Sequence, residues 1–177
     1  SAADMIDRHN YLGGGDGGHG IIEGKVSNVT HLNQPGRGLL NLGFFQTENQ
    51  PFGVSEWTMM PPAPCKAEAA PLYAFYGLGL QGWDASYHFA CSGQRIGDGW
   101  PGLSKYSSNT PHYMGQFPAL AFAVHCGHVK EGAPVAIRRV GPKELYAGRD
   151  VLGQSIAHGS HDEKVLRQDV ATPPEYM

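Results

Sequence analysis

Apolar residues along the chain are gathered into short runs, and segments rich in glycine, proline or polar residues separate these runs. Runs bounded in this way are typical of buried strands. The predicted strands lie within residues 2–12, 51–57, 81–90 and 134–140. Two longer stretches, 66–80 and 117–129, are apolar on almost every side, which is typical of helices packed on a sheet. Pro71 and Pro118 stand where the first turn of such a helix tolerates proline.

The order of these elements is strand, loop, helix, strand, long loop and helix, which is the alternation of βαβ units. We therefore expect an α/β fold with a parallel sheet, either a barrel or a doubly wound sheet. The glycine-rich segment 13–20 and the segment 92–115 are predicted loops, the second long enough to suggest a function. Residues 39–46 predict a short helix and 141–148 a turn. The tail from Arg149 is mixed and polar, and its last residues, ATPPEYM, predict a frayed terminus.

Composition limits the class of protein and its partners. The 177 residues suit one domain, and 41% apolar residues allow a real core. The net charge is −3 without a cluster of Lys or Arg, so neither a nucleic acid nor a membrane surface is an expected partner. The first residues do not show the pattern expected of a signal peptide, and no apolar stretch reaches about 18 residues, so the sequence predicts no particular compartment. Its three cysteines, at unrelated spacings, predict free thiols.

Polar residues at the carboxyl ends of parallel strands converge on one face of the fold, where such proteins place their sites. The first three predicted strands offer, in turn, Asp7, His9, Asn10 and Tyr11, then Ser55, Glu56 and Trp57, then Trp83, Asp84, Tyr87 and His88. Aromatic rings stack on the C–H face of a pyranose, and carboxylates and imidazoles bind its hydroxyls or its anomeric carbon. Glu56 is the sharpest signal, because a carboxylate within an apolar strand is costly unless it is paired or has a function. The alternative is a structural carboxylate held by backbone groups or an arginine.

Longer motifs carry a resemblance to a known group of enzymes. One stretch resembles the seventh and eighth strands of retaining (β/α)8-barrel glycosidases, the clan of β-galactosidases and cellulases. This stretch consists of PFGVSEW (51–57), then MMPPAP, a helix and LQGWDASYHFA. DRHNY resembles the sixth strand, FPALAFAVHCGHVKEG the last barrel helix, and PVAIRRV the first strand of a following β-domain. The resemblance covers roughly residues 2–140. It implies a partial TIM-type barrel over residues 1–132 and a short β-strand extension with a tail over 133–177.

The resemblance also implies a chemistry, the retaining cleavage of oligo- or polysaccharides without a metal or other cofactor. Glu56 would attack the anomeric carbon to form a glycosyl-enzyme, which water then releases. The implied substrate-binding residues are His9, Tyr11, Trp57, Trp83, Asp84 and His88. Among them Trp83 would form the floor of the sugar subsite, and His9 and Tyr11 would hold Glu56 or a sugar hydroxyl.

One part of the clan's machinery is missing from the sequence. The clan's acid/base is a glutamate that follows asparagine at the end of the fourth strand, and no Asn-Glu pair occurs among the 177 residues. A retaining mechanism needs two carboxyl groups about 5–5.5 Å apart. The acid/base is therefore supplied by another chain, recruited from Asp7, Asp84 or Glu48, or absent from an inactive protein.

Two further functions compete with glycoside hydrolysis. The first is carbohydrate binding without turnover by a protein derived from such a barrel. The second is metal-dependent hydrolysis, since His125 and His128, and likewise His158 and His161, have a spacing that chelates metals, although neither pair has a convincing third ligand. An incomplete barrel would also leave strand edges unpaired and helix faces bare. We therefore expect a homo-oligomer or a complementing chain.

Overall fold

The computed structural model describes residues 4–14, 25–32, 39–59, 67–90, 106–147 and 165–169. Its main sheet has three parallel strands in the order β1, β2 and β3. They are β1 (Ile6–Leu12), β2 (Phe52–Met59) and β3 (Ala85–His88). A second parallel pair joins β4 (Ala136–Val140) and β5 (Val165–Asp169). Strands β1 to β4 are found where the apolar runs predicted them.

Helical segments separate the strands. In chain order they are α1 (Leu39–Leu42) with a 3-10 turn (Gly43–Phe45), α2 (Ala69–Leu72) continuing into a π-helix (Tyr73–Gln81), α3 (Pro111–Met114), α4 (Phe117–His125) and α5 (Pro142–Tyr146). No helix in these described segments has the length and apolar character that a membrane span requires.

Two predictions of irregular structure were wrong. Helix α3 lies within the predicted loop 92–115 and α5 within the predicted turn 141–148, while β5 lies in the mixed polar tail, for which no element was predicted. Both helices have proline at their first position, where its missing N–H and fixed φ are favourable. Since proline also interrupts helices, its presence alone did not distinguish a loop from the start of a helix.

The core lies between the sheet and the helices. Strand β2 is central and buries most of its side chains, as a parallel strand covered by helices does. The main members of the core are Phe52, Val54, Trp57, Met59, Ala69, Tyr73, Tyr76, Trp83 and Tyr113. The rings of Trp57 and Tyr73 stack with centroids 4.0 Å apart and 10° between their planes. The Tyr113 hydroxyl donates to the Met59 carbonyl at 2.7 Å, so α3 is fixed to the end of β2.

The burial of the residues of β1 distinguishes the two faces of the sheet. Ile6, Asn10 and Leu12 are partly buried on the helix side, where the Asn10 amide donates to the Tyr73 hydroxyl at 2.9 Å. The alternate residues Asp7, His9 and Tyr11 are exposed, as the two-residue period of a strand requires. We call the helix side the covered face and the other side the open face. Parallel strands with helices between them are common to several α/β folds, so the partial barrel stays a prediction.

Candidate active site on the open face

A β-bulge in β2 brings two consecutive side chains to the open face. Arg8 lies opposite Val54, but His9, the next residue of β1, lies opposite Glu56. Strand β2 shows the same extra residue against β3. Ser55 and Glu56 are the least buried residues of β2, while their neighbours on both sides are buried. A bulge of this kind re-aims side chains and is common next to active sites.

Five side chains meet around this bulge: Asp7, His9, Tyr11, Ser55 and Glu56, which we call the carboxylate cluster. The Tyr11 hydroxyl donates a hydrogen bond to Oε2 of Glu56, and Nδ1 of His9 lies 3.4 Å from the same oxygen. The other oxygen, Oε1, has no hydrogen-bond partner among the described residues. The Glu56 side chain is 34% exposed, so this free oxygen is within reach of a bound molecule.

Tyr11 is kept as a hydrogen-bond donor by its surroundings. Its burial, the hydrogen bond to Glu56 and the negative charge of Glu56 all raise the pKa of the Tyr11 hydroxyl above its ordinary value. The hydroxyl is therefore protonated at every pH at which the protein would work. Its donated hydrogen bond anchors Oε2 and leaves Oε1 without a partner among the described residues.

Asp7 lies at the opposite end of the carboxylate cluster, where its surroundings stabilise it as an anion. Its carboxylate accepts hydrogen bonds from the Ser55 amide at 2.9 Å and from the Ser55 hydroxyl at 2.7 Å. Desolvation raises the pKa of Asp7, but the bonds from Ser55 and the nearby His9 together hold that pKa below its ordinary value. Asp7 is therefore a poor proton donor at neutral pH.

Ser55, His9 and Glu56 approach the geometry of a serine–histidine–carboxylate triad. Nε2 of His9 lies 3.1 Å from the Ser55 hydroxyl oxygen, and Nδ1 faces Glu56. In such a triad the histidine accepts the serine proton. Here the Ser55 hydroxyl donates at a shorter distance to Asp7. Its proton is therefore turned away from His9, and the arrangement favours Glu56 over Ser55 as the nucleophile.

An aromatic group borders the carboxylate cluster. The rings of Tyr11, Phe89 and Tyr106 meet edge to face, with centroids 5.7 to 6.1 Å apart. Tyr11 and Phe89 are each 37% exposed, so they offer apolar ring surface beside Glu56. Sequence analysis missed Phe89 and Tyr106, although Phe89 directly follows β3, where a site residue of a parallel sheet is expected.

Trp57 and His88 lie on the covered face, away from Glu56. Trp57 is buried, and its indole nitrogen donates to the Ser86 hydroxyl at 3.0 Å. Nε2 of His88 is 3.0 Å from the Thr58 hydroxyl oxygen, and the His88 ring lies 4.1 Å from that of Tyr113. The structure thus brings together Glu56, His9 and Tyr11 of the predicted site, but places these two residues among the packing helices.

Trp83 and Asp84 lie at the amino end of the sheet. The sequence placed them inside a strand over 81–90, but β3 begins at Ala85. Trp83 is 3% exposed and packs on Phe52, and Asp84 accepts a hydrogen bond from the Phe52 amide at 2.9 Å. Phe52 is the first residue of β2, roughly 13 Å along the strand from Glu56.

The position of Trp83 is determined by the chain reversal at the end of the π-helix. Gly82 adopts φ 68°, and the Trp83 amide donates back to the Gly77 carbonyl at 3.0 Å. This reversal is the usual glycine-terminated helix end, and it turns the Trp83 ring onto the helix that precedes it. A β-carbon on Gly77 would lie 2.5 Å from that ring, so glycine permits the contact.

The histidine pairs of the metal-dependent alternative do not form a metal site within the described segments. No group of three or more His, Cys, Asp or Glu side chains there could hold a metal ion. His125 and His128 are exposed near the end of α4, and the ring of His128 packs against Phe122. His158 and His161 lie outside the described residues, as does most of the glycine-rich segment 13–20.

Comparison with protein-family models, curated proteins and solved structures returns no match to this chain. The resemblance to barrel glycosidases therefore stands on the sequence motifs alone. The geometry of the carboxylate cluster is an independent basis for a functional proposal.

Proposed function

We propose that the chain belongs to a retaining glycoside hydrolase that cleaves oligo- or polysaccharides with Glu56 as its nucleophile. The observation that carries the proposal is the state of the Glu56 carboxylate. The Tyr11 hydroxyl and Nδ1 of His9 both lie against Oε2, whereas Oε1 has no hydrogen-bond partner among the described residues and the side chain is 34% exposed. A partly exposed carboxylate fixed on one oxygen is prepared to attack with the other.

The proposed reaction has two displacements. Oε1 of Glu56 attacks the anomeric carbon as the bond to the leaving oxygen breaks, and the glycosyl-enzyme ester forms. Water then attacks the same carbon, and the carboxylate departs from the sugar. We place the sugar's C–H face on the exposed rings of Phe89 and Tyr11, because they border Glu56 and Trp83 is buried.

The acid/base gives a proton to the leaving oxygen in the first step and takes one from the attacking water in the second, and in this proposal it comes from elsewhere. Asp7 is ill suited, since its pKa lies below the ordinary value and its oxygens are engaged by Ser55. Glu48 and Asp84 line a cavity together with Phe52, at the amino end of β2. We therefore assign the acid/base to a residue outside the described segments or to another chain.

A substrate that needs no acid tests the nucleophile separately. A 2,4-dinitrophenyl glycoside carries a leaving group that departs without protonation, so glycosylation of Glu56 requires only the nucleophile and a bound sugar. A panel of 2-deoxy-2-fluoro versions of such glycosides should label the chain, and peptide mass spectrometry should place the label on Glu56. Glu56→Gln should lose labelling and should lower turnover of the dinitrophenyl glycosides roughly a thousandfold or more.

Glu144→Gln is the matched control, because it makes the same chemical change on α5, away from the cluster. It should label and turn over as the unmodified chain does. Label on a residue other than Glu56, or full turnover by Glu56→Gln, contradicts the nucleophile assignment. Sugar binding by calorimetry without labelling by any glycoside would instead support the carbohydrate-binding alternative.

A further inference from the structure

His9 lies between the two carboxylates of the carboxylate cluster. Its Nε2 is 3.6 Å from Oδ2 of Asp7 on the same strand, and its Nδ1 is 3.4 Å from Oε2 of Glu56 on β2. In the part of the chain that the structure describes, no Lys or Arg side chain forms an ion pair with either carboxylate. The proposed hydrolysis uses His9 to hold Oε2 and does not specify how many protons the ring carries. The neighbours of the two ring nitrogens determine that number.

The neighbours of Nε2 require a proton on this nitrogen. Asp7 is held as an anion, so the 2.7 Å hydrogen bond between the Ser55 hydroxyl and Oδ2 uses the only proton of the hydroxyl. The Ser55 oxygen therefore turns a lone pair towards Nε2, which lies 3.1 Å away. Two lone pairs at this distance repel each other, whereas a protonated Nε2 donates a hydrogen bond to the hydroxyl oxygen.

The neighbour of Nδ1 requires a proton on the other side of the ring. Oε2 of Glu56 accepts the hydrogen bond from Tyr11, and a carboxylate oxygen has no proton to give. An unprotonated Nδ1 would place its lone pair 3.4 Å from this negative oxygen, and the two would repel each other. A protonated Nδ1 is attracted to the same oxygen. Since a neutral histidine carries a proton on one nitrogen only, it can satisfy only one side of the ring.

We propose that His9 is an imidazolium at neutral pH and that it carries the proton on Nδ1 only while Glu56 is an anion. His9 is then a positioning residue, whose charge helps Tyr11 to fix Oε2 in the free chain. The charge of His9 in the free chain follows from the contacts of its ring. Its change during catalysis rests on the proposed function, because only there does Glu56 lose its charge.

The proton on Nδ1 leaves and returns once in each catalytic cycle. When Oε1 bonds to the anomeric carbon and the bond to the leaving oxygen breaks, Glu56 becomes a neutral ester and Nδ1 gives its proton to solvent. When water attacks the anomeric carbon, the bond to Oε1 breaks, its electron pair returns to Glu56, and Nδ1 regains a proton from solvent. Asp7, His9 and Glu56 together therefore keep a single negative charge in both states, which avoids building up charge in the cluster.

NMR of the ¹⁵N-labelled full chain tests the charge of His9 directly. Long-range ¹H–¹⁵N spectra distinguish an imidazolium from each neutral tautomer, and His9→Asn identifies the signals of this ring by their loss. At neutral pH the unmodified chain should show both nitrogens of His9 protonated. Glu56→Gln retains the shape and removes the negative charge at Oε2, so His9 should become neutral with its proton on Nε2. Glu144→Gln, the same change on α5, should leave His9 doubly protonated.

The change during catalysis has its own measurement. Labelling with a 2-deoxy-2-fluoro dinitrophenyl glycoside expels dinitrophenolate as an anion, so the leaving group takes up no proton at neutral pH. Labelling should therefore release about one proton per chain into weak buffer containing an indicator dye, and should give His9 the neutral spectrum of Glu56→Gln.

Three results overturn the proposal. They are a neutral His9 in the unmodified chain, a ring that stays doubly protonated in Glu56→Gln, and labelling without proton release. The first two are measured without a sugar. A chain that no glycoside labels therefore counts against the proposed function, while the spectra still decide the charge of His9.

Discussion

Tyr11 and His9 meet the same oxygen of Glu56, which makes the two oxygens of this carboxylate unequal. The anchored oxygen fixes the orientation of the side chain, and the other can approach a carbon atom without first breaking a hydrogen bond to the protein. The same tyrosine donor can withdraw charge from the carboxylate when the glycosyl-enzyme breaks down. A single residue pair thus bears on both steps of the proposed reaction.

The resemblance implied that Trp83 forms the floor of the sugar subsite. In the structure Trp83 is buried in the core, and the ring beside Glu56 is that of Phe89. Trp83 is 3% exposed in the core, so Trp83→Ala should destabilise the fold by about 3–5 kcal/mol, the usual cost of deleting a large buried ring. Phe89→Ala removes a partly exposed ring beside Glu56 and should cost clearly less stability than Trp83→Ala. It should weaken sugar binding by about 1–3 kcal/mol.

Urea unfolding and calorimetry with a sugar ligand measure both effects on each variant. Trp83→Ala should show the larger loss of stability, and Phe89→Ala the larger loss of sugar affinity at full folding. Full stability with reduced affinity in Trp83→Ala would return Trp83 to the sugar subsite that the resemblance implied.

His31 makes folding sensitive to mild acid. Its ring is buried, its Nδ1 accepts a hydrogen bond from the Leu39 amide at 3.2 Å, and burial lowers its pKa from 6.5 to about 4 despite nearby Glu68. The unfolded chain therefore binds a proton at a pH where the folded chain does not. The resulting stability is fully present above pH 6.5 and is lost as the pH falls towards 4. The loss is roughly 3 kcal/mol at about 1.4 kcal/mol per pKa unit.

His31→Asn tests this prediction, because asparagine retains an acceptor near the Leu39 amide and has no proton to gain. The free energy of unfolding, measured by urea at several pH values from 4 to 7, should decline less steeply in His31→Asn than in the unmodified chain. Parallel declines would show that other groups cause the acid sensitivity.

Sequence reasoning at this scale selected Glu56 because this residue interrupts an apolar run. The bulge that brings both Ser55 and Glu56 to the open face was not predicted. Sequence reasoning failed for Trp83, whose burial depends on where the preceding helix ends. It also missed the contacts of Phe89 with Tyr11 and Tyr106, which come from three separate segments.

Elements with long, uniform patterns were predicted well, and short ones were not. The runs at β2 and at the helix over 66–80 carry enough apolar residues to define them, although nothing in the sequence indicated the π-helical hydrogen bonding. Helices α3 and α5 span only four and five residues. Their stability comes from contacts such as that of Tyr113 with Met59, which a local pattern does not contain.

Gly82 controls the junction between the π-helix and β3. Its φ is 68°, a region in which residues with a β-carbon are strained, and a β-carbon there would lie 2.5 Å from Cδ of Glu131. Gly82→Ala should therefore destabilise the chain by about 1–2 kcal/mol. Gly141→Ala is the control, since a β-carbon on Gly141 meets nothing within 4 Å.

Urea unfolding of the two alanine variants gives the comparison. Gly141→Ala should change the free energy of unfolding by less than about 0.5 kcal/mol, as a change without a structural conflict usually does. Equal effects of the two substitutions would show that the turn at Gly82 tolerates a side chain, and the explanation of Trp83 burial would fail with it.

For the molecule as a whole, an apolar face is left without a cover among the described residues. A cavity of about 650 Å³ lies between the π-helix and α4, and most of its lining is apolar. On α4, Phe117 and Phe122 are more than 60% exposed. Strands β1 and β3 each have one neighbour in the sheet, so each has an edge that no other described strand covers. Bare apolar surface beside an open parallel edge favours association.

We therefore predict that the chain associates with itself through the α4 face. Phe122→Ser should weaken the association, because it removes apolar surface that a second copy would bury at about 25 cal/mol per Å². Tyr146→Ser is the control, since Tyr146 is an exposed aromatic residue on α5 that does not line this cavity. Light scattering at micromolar concentration should give a mass that is a multiple of 19.1 kDa for the unmodified chain and the control, and a lower average mass for Phe122→Ser. A mass of 19.1 kDa for the unmodified chain would contradict self-association, and a complementing chain would then be the expected cover of this face.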